Sequence, residues 1–342
     1  MKRDKQKGEW PMKCGALLVL LFILASPRAA VCTEWVVENL TQITYGSQEQ
    51  HGVFNQDGTR IAYRQLNSWY WADCDIWTID PYGSDAFQVT SSGNGEFDPA
   101  FHPDGRISYV RENGSNDYDI WIANANGTNP HLLIDGPLRQ QAHDWKPDGL
   151  KIAYTKEYSG NVDEIWLANA DGSGETRITD HNVDGPHQWG PVYSWSGSKI
   201  AYGNGFTTST SIANVWIMNN DGSNKQQVTF GNTVSAPQFW WPGDTAISYI
   251  RKGTSGRSEL WLHYLSTGIE ECLLASNFDV EGADLSPDGR TLVLQITSET
   301  GCHIWTGSLS EVSAVPEPGT AALIVPALLG FAGIAFRKMR KG

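Results

Sequence analysis

Segment 103–109, Pro-Asp-Gly-Arg-Ile-Ser-Tyr, and segment 119–121, Asp-Ile-Trp, decide the fold of this chain because their pattern recurs along it. Pro-Asp-Gly is typical of a tight turn, in which glycine accepts a positive φ angle at no steric cost. Ile107 and Tyr109 are two residues apart, so both side chains lie on one face of a strand. The Asp-Ile-Trp triplet indicates the start of another strand.

Two markers of this pattern occur six times each at a nearly constant spacing. The turn glycines are Gly58, Gly105, Gly149, Gly197, Gly243 and Gly289, spaced 47, 44, 48, 46 and 46 residues apart. The tryptophans are Trp77, Trp121, Trp166, Trp216, Trp261 and Trp305, spaced 44, 45, 50, 45 and 44 residues apart. Because two independent markers agree, we expect six structural repeats, numbered here one to six in chain order.

Each repeat carries signals for four short strands. Asn-Gly or Asp-Gly dipeptides follow the tryptophan at 126–127, 171–172 and 221–222, and such dipeptides favour two-residue hairpins. Four antiparallel strands in about 46 residues are typical of a propeller blade. The repeated Pro-Asp-Gly, Ile-Ala-Tyr and Asp-Ile-Trp motifs resemble the TolB-like propellers, which consist of WD40-like Pro-Asp repeats. The resemblance covers nearly all of residues 33–314 and implies an all-β, six-bladed β-propeller.

The sixth repeat lacks its fourth strand, whereas the first repeat is preceded by an additional one. Segment 40–44, Leu-Thr-Gln-Ile-Thr, is similar to segment 87–90, Phe-Gln-Val-Thr, which ends the first repeat. We therefore predict that residues 40–44 pair with the strand around Ile304–Thr306 and close the ring. Closure would also remove an exposed sheet edge.

Both ends of the chain are typical of targeting segments. In residues 1–32 a basic region ending at Lys13 precedes an apolar run at 15–25, which predicts a signal peptide. The alternatives are an uncleaved anchor and a lipoprotein that uses Cys32. At the other end, an apolar stretch at 320–336 precedes a basic tail and predicts a transmembrane helix with the tail in the cytoplasm.

The apolar stretch follows the tetrapeptide Val315, Pro316, Glu317 and Pro318. Residues 315–342 thereby resemble the PEP-CTERM sorting signal of Gram-negative bacteria, although an ordinary tail anchor would share the helix and the charges. The resemblance implies an exosortase-type processing enzyme as partner. It also implies an inner-membrane precursor that is later transferred to the cell surface or the extracellular matrix.

Charge and composition exclude several classes of protein. The net charge of −13 conceals basic ends, because residues 33–314 alone carry −20. A body this acidic repels phosphate backbones, so we do not expect nucleic-acid binding. Only 18% of residues are charged and 11% are aromatic, which argues against disorder.

Candidate binding residues are expected on the face of the ring opposite the Pro-Asp-Gly turns, where the loops vary in length. An aromatic cluster, Trp69, Tyr70 and Trp71, would stack on a sugar ring or a peptide there, or pack over a neighbouring blade. Near the inner strands lie six further candidates: His51, Asp98, His143, Asp144, His187 and Asp284. Converging His and Asp side chains would bind a metal or a cationic group. These residues lie five to ten positions before the turn glycine of their repeat, so they do not form one ring of side chains. Hydrogen bonding between neighbouring blades is therefore the competing explanation.

No motif in the sequence supports catalysis. We find no Gly-x-Ser-x-Gly, His-Glu-x-x-His or phosphate-loop pattern. We therefore expect no cofactor, no resident metal and no catalytic residue. The sequence favours a non-catalytic binding or scaffold module at the cell envelope or in an exopolysaccharide matrix, with a polysaccharide or protein ligand. The alternatives are a metal-dependent polysaccharide lyase at the channel mouth and a structural surface protein without a specific ligand.

Overall fold

The structure is a computed structural model that describes residues 35–46, 48–67, 73–114, 117–158, 162–185, 187–205, 213–231 and 236–311. Its strands are β1 (Trp35–Gln42), β2 (Glu49–Phe54), β3 (Ile61–Leu66), β4 (Cys74–Ile79), β5 (Phe87–Gln88), β6 (Glu96–Phe101), β7 (Ile107–Glu112), β8 (Tyr118–Ala123), β9 (His131–Ile134), β10 (Gln140–Trp145), β11 (Lys151–Glu157), β12 (Asp163–Asn169), β13 (Thr176–Arg177), β14 (His187–Tyr193), β15 (Lys199–Gly205), β16 (Ala213–Asn219), β17 (Gln226–Gln227), β18 (Ala236–Trp240), β19 (Ala246–Lys252), β20 (Ser258–Tyr264), β21 (Glu270–Leu274), β22 (Asp279–Leu285), β23 (Thr291–Ser298) and β24 (Gly301–Glu311). A four-residue helix, α1 (His181–Asp184), precedes β14, and a 3-10 turn, Pro242–Asp244, precedes β19.

Four of the sheets contain four antiparallel strands each. Their orders are β2-β3-β4-β5, β6-β7-β8-β9, β18-β19-β20-β21 and β1-β24-β23-β22. They correspond to repeats one, two, five and six of the sequence. The predicted all-β architecture of antiparallel sheets is thereby confirmed.

Repeats three and four form one larger sheet, which differs from the prediction of separate blades. Strands β10 to β13 and β14 to β17 have the same antiparallel arrangement as the other sheets, and one parallel residue pair, Asp163 with His187, joins them. The imidazole Nδ1 of His187 lies 3.4 Å from a carboxylate oxygen of Asp163, which brings the start of β14 beside β12. The described residues therefore form four separate four-stranded sheets and one eight-stranded sheet, not the predicted six separate blades.

The chain closes through its first described strand. β1 lies antiparallel to β24, with Thr41 opposite Thr306 and Gln42 opposite Trp305. The amide of Ile43 donates to the carbonyl oxygen of Ile304 at 2.9 Å. The predicted pairing of residues 40–44 with the end of the sixth repeat is confirmed, and the pairing begins earlier than predicted, at Trp35.

The hydrophobic core lies between neighbouring sheets. The predicted alternating pairs are buried; Ile107 and Tyr109, for example, are 0% and 2% exposed. Six apolar clusters occur among the described residues. The buried members of each come from two consecutive repeats, and one cluster joins repeat six to repeat one through Val293 and Ile61. Burial of one such isoleucine stabilises the fold by about 1.5–3 kcal/mol. Packing therefore holds the sheets in a closed ring.

Within the residues just given, no helix has the length and apolar character needed to cross a membrane. The predicted signal peptide at 1–32, the sorting motif at 315–318 and the predicted transmembrane helix at 320–336 all lie outside the described residues.

Candidate functional site

A cavity of about 530 Å³ lies where the first strands of the six repeats meet. Strands β2, β6, β10, β14, β18 and β22 all contribute to its wall. The residue five positions before the turn glycine lines it in every repeat: Val53, Ala100, Asp144, Val192, Gln238 and Asp284. Because one cavity contacts all six first strands, these strands surround the centre of the ring.

Half of the residues that line the cavity are aromatic or proline. The aromatic residues are Phe54, Phe101, Trp145, Tyr193, Trp195, Phe239 and Trp240. Pro103, Pro147 and Pro287 of the Pro-Asp-Gly turns also belong to the wall, so the cavity lies at the turn end of the first strands. An apolar wall with a few polar groups is typical of a small-ligand site.

Asp144 and Asp284 occupy equivalent positions in the cavity wall and make equivalent hydrogen bonds. Asp144 accepts from the amide of Tyr193 in the next repeat at 2.7 Å and from the amide of Trp145 at 2.8 Å. Asp284 accepts from the amide of Phe54 in repeat one and from that of Leu285, both at 2.8 Å. Each carboxylate therefore links its repeat to the following one, and Asp284 does so across the closure of the ring.

The two carboxyl groups are unusually basic for aspartate. Burial raises the pKa of Asp144 to about 7, with a smaller contribution from the charge of Asp284, and the backbone amides only partly oppose it. Burial likewise raises the pKa of Asp284 to about 6. Among the described residues, neither carboxylate has a Lys, Arg or His nitrogen within 4.0 Å. In the described part of the chain, backbone amides are thus the hydrogen-bond donors that stabilise their negative charge.

His143 contributes a neutral imidazole to the same wall. Its Nε2 lies 2.7 Å from the hydroxyl of Ser108, which also accepts from the indole of Trp145 at 2.8 Å. Burial lowers the pKa of His143 to about 4, although Asp98 acts in the opposite direction. The side chain is 8% exposed, and its Nδ1 has no hydrogen-bond partner among the described residues.

His51 and Asp98 form an ion pair at the other end of the first strands. Their side chains meet at 2.5 Å across neighbouring repeats. Both residues lie in β-bulges with left-handed backbone, at φ 54° and 49°, which redirect the side chains from the regular alternation. Burial opposes ionisation of Asp98, but the contact with His51, together with Arg64 and His143, lowers its pKa well below the ordinary range. Neither residue lines the cavity.

The remaining predicted site residues lie elsewhere. His187 contacts Asp163 at the junction of the eight-stranded sheet and does not line the cavity. The aromatic cluster Trp69, Tyr70 and Trp71 lies outside the described residues. The sequence led us to expect the six His and Asp candidates on the variable-loop face, but the structure places Asp144 and Asp284 at the turn end. They are the penultimate residues of their strands, so they project beside the turns.

One group of potential metal ligands occurs among the described residues, and the sequence did not indicate it. Glu164, Asp180 and His181 lie together near the start of α1. The guanidinium of Arg177 already donates to both Glu164 and Asp180 at 3.1 Å, and His181 contacts Glu164 at 2.7 Å. Internal cations thus neutralise these carboxylates, which argues for a structural role.

The fold and the central cavity define a β-propeller. More narrowly, the fold is TolB-like. A putative TolB from Agrobacterium tumefaciens superposes with a TM-score of 0.59 at 17% identity, covering 81% of this chain and 98% of that one. TolB from Acinetobacter baumannii also gives 0.59, at 20% identity, over 75% of this chain and 65% of that one. The present chain thus corresponds to about two thirds of the Acinetobacter protein's length.

An oligogalacturonate lyase in complex with manganese is a more distant structural neighbour. It superposes with a TM-score of 0.50 at 13% identity, covering 80% of this chain and 91% of that one. No protein-family model and no curated protein matches the sequence. At these identities the likeness concerns the fold alone, so function has to be argued from the cavity.

Proposed function

We propose that this protein is a secreted or surface-sorted propeller of six blades that acts as a non-catalytic binding module at the cell envelope or in an exopolysaccharide matrix. Its ligand binds in the central cavity. Six blades are supported by the two similar halves of the eight-stranded sheet and by the six core clusters between consecutive repeats.

The cavity is the observation that carries this proposal. It has about 530 Å³ of space, which suits a small ligand or the end of a chain. Its wall offers aromatic rings for contact area and a small number of polar groups for orientation. It is also held by strands from every repeat, so the ring provides a rigid frame that has little to rearrange on binding.

The arrangement of Ser108 and His143 supports binding rather than nucleophilic catalysis. A serine hydroxyl 2.7 Å from an imidazole is the geometry of an activated nucleophile. However, Ser108 is 0% exposed, and its oxygen also contacts the indole of Trp145 and the carbonyl of Ala100. A substrate has no access to that oxygen, so the pair serves to position His143.

The histidines do not favour the lyase alternative. Within the described part of the chain, His51, His143 and His187 do not belong to any group of three potential metal ligands. A direct assay decides the matter. Incubation of the protein with Mn²⁺ and polygalacturonate should give no rise in absorbance from unsaturated products, whereas a rise above that of a Val53→Phe variant would support an enzyme.

Blocking the cavity tests the binding function. Val53→Phe would fill space at the wall, and Val192→Phe would do so from another repeat. Leu150→Phe is the matched control, because Leu150 is 67% exposed and does not line the cavity. In thermal-shift assays with small peptides, oligosaccharides and amines, we expect ligands that stabilise the wild type and Leu150→Phe but neither blocked variant. Equal stabilisation of all four proteins, or of none, would contradict the proposal.

The sorting route is a separate part of the proposal. Its support is the order of Pro316-Glu317-Pro318, apolar stretch and basic tail in the sequence. Replacement of these three residues by alanines should leave the protein as an inner-membrane precursor in cells that contain an exosortase. Immunoblotting of membrane and surface fractions distinguishes the precursor from the processed protein. Unchanged processing and release of the altered protein would contradict this sorting route.

A further inference from the structure

We infer that the ligand of the central cavity presents a primary ammonium group, which binds between Asp144 and Asp284. This inference rests on the proposed binding function and specifies its ligand. A lysine side chain, a peptide N-terminus and a free alkylamine all carry the same group.

Position is the first argument. Asp144 and Asp284 lie in repeats three and six, so in a ring of six repeats they face each other across the channel. Both residues line the same cavity, and the charge of Asp284 contributes to the raised pKa of Asp144. The other repeats carry Val53, Ala100 or Val192 at this position, or the neutral Gln238.

The hydrogen bonds of these carboxylates leave capacity for a ligand. Each oxygen of Asp144 and of Asp284 accepts one backbone amide, whereas a carboxylate offers about four acceptor sites. The amides fix the orientation of the carboxylates. The remaining sites are free for a cation.

His143 provides an independent observation at the same wall. Its side chain is more than nine-tenths buried, and its Nδ1 has no partner among the described residues. In the tautomer with the proton on Nε2, that proton is donated to Ser108 and Nδ1 is an acceptor. An ammonium group has three N–H donors, and the carboxylates of Asp144 and Asp284 in the cavity wall offer it charged acceptors, with the neutral imidazole of His143 beside Asp144.

The surroundings favour an organic cation over a hydrated metal ion. The aromatic and proline rings of the wall suit an alkyl chain and do not replace the water ligands that a divalent ion retains. The charge of −20 on residues 33–314 attracts cations over long distances.

Binding of n-hexylammonium, with n-hexanol as its neutral counterpart, tests the inference by calorimetry at pH 8. We expect the wild type to bind the ammonium at least about tenfold more tightly than the alcohol, as charge-assisted hydrogen bonds require. Asp144→Asn and Asp284→Asn should each remove most of that preference. Asp171→Asn is the matched control: it makes the same change from carboxylate to amide at an exposed residue that does not line the cavity and that accepts the amide of Ser173 at 3.0 Å, so it should keep the preference.

Titration of the wild type provides a test that needs no variant. The ionisable side chains of the cavity wall are Asp144, Asp284, His143 and Tyr193. His143 is neutral above pH 5 and burial raises the pKa of Tyr193, so only the two carboxyl groups change charge between pH 5 and 8. Affinity for hexylammonium should therefore fall as the pH is lowered from 8 to 5, while affinity for hexanol stays constant.

Several outcomes would overturn the inference. The first is equal affinity for hexylammonium and hexanol, and the second is an affinity for hexylammonium that does not change with pH. The third is displacement of the amine by Mg²⁺ that binds at Asp144 and Asp284. If neutral ligands are blocked by Val53→Phe while hexylammonium shows no preference, the binding function stands and the ligand class is wrong. If no ligand enters the cavity, both fail. A lysine-containing peptide that binds more tightly than hexylammonium would identify a peptide as the source of the group.

Discussion

The two ends of the first strands use aspartate in opposite ways. At the bulge end, Asp98 has an imidazole partner in His51, and its pKa lies below the ordinary range. At the turn end, Asp144 and Asp284 accept backbone amides without a cationic partner among the described residues, and their pKa values are raised to about 7 and 6. Burial acts in the same direction at both ends. The partner therefore decides whether the charge is stabilised.

This difference distinguishes polar side chains that stabilise the fold from polar side chains that are available to a ligand. The ion pair of His51 and Asp98 is complete within the protein, so it needs no ligand. The carboxylates of Asp144 and Asp284 are well oriented yet incompletely neutralised, and a cation from outside would complete them. Perturbed groups of the second kind mark candidate sites.

Asp284→Ala should have the largest effect on stability. It would leave the amides of Phe54 and Leu285 without their acceptor at the junction of repeats six and one. Buried unpaired amides each cost about 1–3 kcal/mol, so we expect the free energy of unfolding to fall by about 2–6 kcal/mol in urea titrations. A loss below about 1 kcal/mol would show that the link across the closure is dispensable.

His51→Ala should have a smaller effect. The side chain of His51 is 45% exposed, and pairs of this kind contribute about 1 kcal/mol or less. His131→Ala serves as control, because His131 is exposed and its imidazole makes a single hydrogen bond among the described residues, to the carbonyl of Asn129 within its own repeat.

The sign of the pH dependence follows for the same ion pair. The pKa of Asp98 is lower in the folded state, so its contribution is present above pH 4 and lost as the pH falls through the folded value. The stability difference between wild type and His51→Ala should vanish in strong acid. A difference that persists there would mean that packing, not charge, explains the effect.

A further effect is a change of stability with pH at the turn end. The pKa of Asp144 is higher in the folded state, so the folded protein binds more protons between about pH 4 and 7. Relative to Asp144→Asn, in which His143 and the other groups titrate equally, the stability of the wild type should decline as the pH rises through this range. A difference that stays level or rises would indicate that Asp144 is compensated by a cation after all.

The sequence predicted the strands better than their partners. Repeat spacing predicted the antiparallel sheets, and segment 40–44 predicted the pairing of β1 with β24, because both depend on backbone patterns that are periodic along the chain. The sequence also singled out Asp144 and Asp284 but placed them on the wrong face. The single residue pair of Asp163 and His187, which joins repeats three and four, left no periodic signal.

The side-chain contacts between neighbouring repeats could not be predicted from the sequence, and the reason is physical. His51 meets Asp98 because both residues adopt left-handed bulges, and neither residue type requires that conformation. Asp144 meets the amide of Tyr193, which has no side-chain signature at all. Such partners are set by how neighbouring sheets pack.

The pairing of β1 with β24 also determines when folding of the ring can be completed during synthesis. Residues 35–42 are made first among the described strands, yet their partner residues 301–311 come about 260 positions later. At synthesis rates of about 5–20 residues per second, the early strand waits roughly 13–50 s with its edge unpaired. Sheets of intermediate repeats can pack as they are made, but the ring as a whole becomes cooperative only when the last strand arrives. A nascent chain arrested before residue 301 should therefore remain sensitive to protease near its start, whereas the finished chain should resist.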